Sequence, residues 1–232
     1  MNITRPALAI ALAVSIVAVG QAEAAKKPPK KVVKPVCMLV TDPAGDANAI
    51  NLGSPVPTTN AGSSVDALDI TSVDIASDKK LLTTVMRVKK LASTVSTAPM
   101  GLNWTVSFKV DTQSFSIAAH ADPTGKITYD ASYASTTGGS LYPGNMAGTF
   151  DTNKSEIHIT VPIDLMAKQA TIKLGTKITA IAGATFSEVL IPEATGALGG
   201  GTFFSTTVNE YDWTSPGKDY ISGTPSCVTP GV

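Results

Sequence analysis

From residue 68 onward the chain is a series of short runs in which every second side chain is apolar. In NWTVSFKV (103–110), Trp104, Val106, Phe108 and Val110 take one side and Thr105, Ser107 and Lys109 the other. That is the period of a strand with one buried face. LLTTVMRV (81–88) aligns Leu82, Met86 and Val88 in the same way, and EIHITVP (156–162) aligns Ile157, Ile159 and Val161. SFSIAAH (114–120), KITYDASY (126–133), KITAIAGATF (177–186) and GTFFSTTV (201–208) follow the rule, with turn residues between them such as the DPTGK segment around Pro123 and Gly125. LDITSVDIAS (68–77) slips: Ile70 lies three positions from Val73, whereas Val73 and Ile75 are two apart. A β-bulge near Thr71 and Ser72 would keep all three facing one core.

Long helical periodicity is absent, and only PIDLMAKQ (162–169) suits a short helix. Roughly eight to ten strands, each with a single apolar face, need a second sheet to cover them. The predicted fold is therefore all-β: a two-sheet antiparallel β-sandwich, jelly-roll or immunoglobulin-like in layout. Glycine-rich stretches at 138–148 and 195–201 predict long loops at its ends, where binding residues commonly sit.

The first 24 residues have a different pattern. Arg5 precedes the apolar run ALAIALAVSIVAVG, and Ala22-Glu23-Ala24 supplies the small residues of a cleavage site, so residues 1–24 read as a signal peptide. The run is short for a membrane span of ~20 residues. Residues 25–35, AKKPPKKVVKP, form a Lys/Pro-rich linker without a face to bury, serving as a spacer or as a weak electrostatic tether to an anionic envelope. Residues 36–232 remain as a single sandwich domain. The expected location is secreted, periplasmic or extracellular, without membrane insertion once the signal is removed.

Charge and cysteine content refine this picture. The whole chain balances 18 basic against 18 acidic residues, but with the leader and linker set aside 12 basic residues face 17 acidic ones. A net-negative domain argues against nucleic acid as a partner. Cys37 and Cys227, the only two cysteines, flank the domain in an exported context, which predicts a disulfide. It would close a loop of ~190 residues, worth about 5 kcal/mol at most in the chain-entropy model.

Catalytic patterns are missing. GGSLYPG does not complete a nucleophile elbow, and there is no H-E-x-x-H, zinc cluster, P-loop or dinucleotide fingerprint. Glu156, Glu188, Glu193 and Glu210 are of the type a carboxylate-pair glycoside hydrolase would use, but sequence spacing places no two of them across a cleft. The expectation is a protein that is not an enzyme. Asn103 and Asn153 each begin an N-x-S/T triplet, relevant where exported proteins are glycosylated.

The order of the pieces DPAGDA, LDITSVDIASDKKLLTTVMRVKKL, WTVSFKV, MAGTFDTNKSEIHITVPIDLM and DWTSPGKDYISGTPSC resembles exported bacterial sandwich domains related to family 9 carbohydrate-binding modules and DOMON-like sandwiches. The resemblance spans about residues 38–222 and is one of layout. It implies a jelly-roll-like sandwich with a structural calcium near the chain ends. It does not bring a ligand with it; a polysaccharide or cell-envelope component is the expected partner. Sugar-binding members use aromatic platforms; Trp213, with Tyr211 and Tyr220, is the candidate here, whereas Trp104 belongs to a core-facing pattern. His120 and His158 lack a paired motif, which argues against haem.

The acidic residues give calcium a reading of its own. In DPAGDAN, Asp42 and Asp46 flank a Pro-Ala-Gly bend; VDALDI adds Asp66 and Asp69; YDWTSPGKDY adds Asp212 and Asp219 ahead of Cys227. A Cys37–Cys227 bond would bring the first and last of these groups together, and crowded carboxylates need a cation. Asp42, Asp46, Asp69, Asp212 and Asp219 are the candidate ligands. Against this stands the common use of Asp to cap turn amides, and the spacing is not that of an EF-hand.

Overall fold

The computed structural model describes residues 33–47, 65–91, 101–122, 124–135, 138–142, 146–192 and 204–231, with backbone alone for 65, 138–141, 187–192 and 204–211. Residues 1–32, which hold the predicted leader and most of the predicted linker, and the glycine-rich stretch 195–201 fall outside them. In chain order the elements are β1 (Val40–Thr41), α1 (Val65–Leu68), β2 (Ile70–Ser77), β3 (Leu81–Val88), β4 (Gly101–Val110), β5 (Gln113–Ala121), β6 (Ile127–Ser135), β7 (Gly138–Leu141), β8 (Ala147–Asp151), β9 (Glu156–Pro162), α2 (Ile163–Met166), β10 (Lys177–Pro192), β11 (Phe204–Trp213) and β12 (Tyr220–Ile221).

These strands make the all-β, two-sheet antiparallel sandwich that the alternation predicts. One sheet runs β1-β2-β3-β9-β8; the other runs β11-β10-β4-β5-β6-β7, with β12 beside β10. Trp104, Phe108, Phe115 and Ile117 of the larger sheet meet Ile70, Val73, Ile75, Leu82, Met86, Ile157 and Val161 of the smaller, all essentially buried. The Trp104 indole stands edge-on to Phe150, with ring centres 5.4 Å apart, and its Nε1–H donates to the Ala67 carbonyl at 2.7 Å. Trp104 is thus a core residue whose polar atom is satisfied, as its strand pattern indicated.

The β2 bulge lies where the slip in LDITSVDIAS places it: the pairing of β2 with β3 shifts between Ile70 and Ser72. Two features depart from the sequence reading. Part of the stretch 138–148 is strand, with β7 pairing to β6 through Ser132↔Leu141 and Ser135↔Gly138 before β8 begins at Ala147. Backbone pairing against an existing sheet edge overrides the weak strand propensity of GGSL. There are also twelve strands among the described residues, beyond the eight to ten expected, because β1 and β12 are two-residue segments too short to carry a period.

The chain ends run alongside each other. Val36 N–H donates to the Pro225 carbonyl at 2.9 Å, and Lys218 N–H donates to the Leu39 carbonyl at 2.8 Å. Gly217 is required at this seam, since a Cβ there would strike the Leu39 carbonyl oxygen. Cys37 and Cys227 form the predicted disulfide, with Cα atoms 5.2 Å apart across a sequence separation of 190. Moving up the N-terminal segment from 36 to 42 therefore moves down the C-terminal one from 226 towards 212.

Candidate metal centre

At the upper end of that seam, β1 gives way to the DPAGD turn. Asp42 N–H donates to the Thr71 carbonyl at 3.1 Å, which anchors the turn beside the β2 bulge. Gly45 then adopts φ 97°, a left-handed conformation open to glycine, and its N–H donates to Asp69 Oδ2 at 2.7 Å. Asp69 itself is fully buried at the junction of α1 and β2. Two bonds to α1 carbonyls, from Trp104 to Ala67 and from Thr185 Oγ1 to Leu68 at 2.6 Å, fix that junction to the larger sheet.

Asp212 arrives from the other end of the chain. It lies on β11 opposite Thr185, next to a shift in the β10–β11 register. Its Oδ2 accepts Ile70 N–H at 2.6 Å and its Oδ1 accepts Trp213 N–H at 2.8 Å, so the carboxylate also stitches β11 to β2. Asp42, Asp46 and Asp212 each present a carboxylate oxygen within 4.8 Å of the others.

Electrostatics record the crowding. Burial pushes the Asp42 carboxyl up to about 6, reinforced by the negative charges of Asp212, Asp46 and Asp69. Asp212 is also raised, chiefly by burial, against the two backbone N–H groups that favour its charged form. Asp69 is raised by burial, partly offset by the Gly45 N–H and by Lys89. Lys89 serves the neighbouring acids: its Nζ lies 2.8 Å from Asp66 and 3.8 Å from Asp69. Two buried carboxylate oxygens, Asp42 Oδ2 and Asp69 Oδ1, have no hydrogen-bond partner among the described residues. Buried acceptors without donors are costly, by about 1–3 kcal/mol each, unless something else satisfies them.

Of the five candidate ligands, the structure brings Asp42, Asp46 and Asp212 together and sets Asp69 directly beneath their turn. Asp219 is not among them: it lies near the first residue of β10, exposed, with its carboxylate 2.6 Å from Lys177 Nζ. Asn48, whose side-chain amide could add a neutral oxygen to such a site, lies outside the described residues.

The proposed aromatic trio divides. Trp213, directly after Asp212, is 64 % exposed. Tyr220 is a correction: it is 1 % exposed, and its hydroxyl accepts Ser77 N–H at 3.0 Å and donates to the Thr224 carbonyl at 3.1 Å. Its position on β12 turns the ring into the sandwich, and it cannot stack on an external ligand. The Tyr211 side chain lies outside the description.

Sequence reading missed a second polar centre on the outer face of the smaller sheet. Arg87 Nη1 lies 2.6 Å from Asp74 Oδ2, and its Nε donates to Glu156 Oε1 at 2.7 Å. His158 Nε2 lies 2.9 Å from Glu156 Oε2. Asp74, nearly fully buried, also accepts Leu39 N–H at 3.1 Å. The signal was present, since Arg87 is the one arginine beyond Arg5 and sits at a polar strand position. Its partners depend on register between strands far apart in sequence, which no local pattern reveals.

No protein-family model, characterised protein or solved structure matches this chain.

Proposed function

We propose that the protein is an exported, non-catalytic binding or adhesion module whose two chain ends are held together by a calcium ion beside the disulfide. The observation that carries this reading is the convergence of Asp42, Asp46 and Asp212, from opposite ends of the chain, within 4.8 Å of one another. The orphaned oxygens of Asp42 and Asp69 add acceptors that hydrogen bonding leaves unused. An all-oxygen donor set on a turn that can adjust suits calcium better than magnesium, which demands a tighter octahedron. Bound there, the ion would supply charge neutralisation and a crosslink between β11 and the N-terminal turn. Asp42, Asp46 and Asp212 would hold it, with Asp69 fixing the turn from below. The non-catalytic reading is supported by Glu156, whose carboxylate is committed to Arg87 and His158.

The test is thermal unfolding of the oxidised chain, first in chelator and then across a calcium titration. A midpoint that climbs with calcium, and stops doing so in Asp46→Asn, is the expected result. An identical midpoint with and without calcium would sink the reading.

A second reading, a carbohydrate-binding module, is favoured by one observation. Trp213 opens onto a strip of small residues running across the larger sheet through Ala184, Thr105 and Ala118, which pair in register. An exposed ring followed across the sheet by the half-buried Ala184, Thr105 and Ala118 has only small side chains beside it, which suits stacking against a sugar. Because the other tryptophan is buried, a change in exposed-tryptophan fluorescence on adding soluble polysaccharide would report Trp213. The absence of binding to a panel of soluble and insoluble polysaccharides would dismiss this reading.

A further inference from the structure

The chain carries two asparagine triplets of the form that oligosaccharyl transferases modify, Asn103-Trp104-Thr105 and Asn153-Lys154-Ser155. The fold treats them in opposite ways. Asn103 lies in β4, hydrogen-bonded along its backbone to β10 on one side and β5 on the other. Its half-buried Oδ1 lies 2.8 Å from His120 Nδ1. A central strand cannot leave its sheet to enter an enzyme cleft without breaking both ladders.

Asn153 stands at the tip of the β8–β9 hairpin, exposed together with Lys154. Asp151 Oδ1 accepts the N–H groups of Asn153 at 3.0 Å and Lys154 at 3.2 Å, which shapes the turn through its backbone. The Asn153 carboxamide has no hydrogen-bond partner among the described residues. Ser155, at φ 55°, closes the turn. Its carbonyl accepts Val88 N–H and its Oγ accepts Leu91 N–H, both at 3.1 Å, leaving the hydroxyl proton free to donate. The tip is thus preformed and outward-facing, with its acceptor nitrogen unused.

We propose that Asn153 is an N-glycan acceptor in the folded protein and that Asn103 is not. The donor class is a lipid-pyrophosphate-linked oligosaccharide, delivered by an oligosaccharyl transferase. Asn153 Nδ2 forms the bond to the anomeric carbon as that carbon's bond to the pyrophosphate oxygen breaks. The electron pair leaves with the lipid pyrophosphate, and Nδ2 gives up one proton to an enzyme carboxylate. In the cell this rests on the export reading, since such transferases act beyond the cytoplasm; the chemistry itself does not.

The experiment incubates the full-length, oxidised chain with solubilised oligosaccharyl transferase and a synthetic lipid-pyrophosphate oligosaccharide, and reads intact mass and peptide maps. An acceptor peptide in the same reaction shows that the enzyme is active. The expected result is addition of one glycan at Asn153, abolished in Asn153→Gln and unchanged in Asn103→Gln. Both side chains lie outside the core, and far-ultraviolet circular dichroism confirms that each variant folds. An unmodified folded chain beside a modified control peptide overturns the proposal, as does glycan on Asn103 or modification that survives Asn153→Gln. N-terminal sequencing of the chain from the cell envelope tests export separately, so failure of either reading is visible alone.

Discussion

The sandwich holds two groups of carboxylates, each with a buried member (Asp74 in one, Asp212 in the other), and handles them differently. On the outer face of the smaller sheet, Asp74 and Glu156 share Arg87 at 2.6 and 2.7 Å, and His158 lies beside Glu156. Burial would raise Glu156, but its hydrogen bonds to His158 and Arg87 outweigh that and hold it below the ordinary carboxylate range. At the top of the terminal seam, Asp42, Asp46 and Asp212 crowd together and Asp42 rises to about 6. In the first group the chain supplies its own cation. In the second it supplies acids from both ends of the sequence, and two buried oxygens, of Asp42 and Asp69, go without a hydrogen-bond partner among the described residues. The contrast teaches that burial alone does not decide how a carboxylate is stabilised; what matters is whether the chain places a positive charge beside it, as it does for Asp74 and Glu156.

Removing the internal cation should have the largest effect. Arg87→Ala strands Asp74 in a nearly closed environment, and loss of one partner from a buried pair costs about 3–5 kcal/mol. Urea unfolding should show that loss, with or without calcium. A cost under about 1 kcal/mol would mean that Asp74 does not depend on Arg87 for its positive partner, and the comparison would fail on that side. Supplying the external cation comes next: at a hundredfold excess over its dissociation constant, calcium should add about 2.7 kcal/mol to the wild type and nothing to Asp42→Asn. Smaller again is the effect of Asp46→Asn in chelator. Relieving part of the repulsion should leave the ion-free protein as stable or slightly more so, by under about 1 kcal/mol.

The two centres should also respond oppositely to acid. Asp42 has a folded value near 6 against an ordinary 3.8, so between those values the folded chain keeps a proton that the unfolded chain has released. Its contribution to stability in chelator therefore falls as pH rises from about 4 to 6, and calcium should abolish that fall by taking the proton's place. Glu156 is lowered from 4.5, so its contribution is present above that value and fades as pH drops through the lower folded one. Unfolding series at about pH 3, 4.5 and 7, with Asp42→Asn as the comparison, separate these opposing slopes: the Glu156 loss appears below pH 4.5 and the Asp42 loss between pH 4.5 and 7.

Much of the architecture was legible because a strand's burial pattern is local. Trp104, Val106, Phe108 and Val110 alternate inward as their spacing predicts, and the slip at Thr71–Ser72 marks a real shift in register. The disulfide was legible because only two cysteines were available. The candidate centre was legible in part. Asp42, Asp46 and Asp212 converge because the ends run side by side, which the disulfide implied. Asp219 shares the same acidic segment but lies beside Lys177, since the strip between it and Asp212 extends along β10. Tyr220 failed as a surface ring because the two-residue β12 turns it inward, a choice made by sheet pairing and not by neighbouring residues. The Arg87 network was invisible for the same reason.

The bond between Cys37 and Cys227 makes the intervening polypeptide a covalent ring. An endoprotease that nicks any one exposed turn inside that ring, such as Asp78–Lys80 or Thr152–Ser155, opens a loop but releases no fragment. Both new ends remain attached to the same molecule, and the strands on either side stay at high effective concentration for re-pairing. Wherever proteases reach the folded chain, a single cut becomes a repairable injury to shape where it would otherwise be a loss of mass.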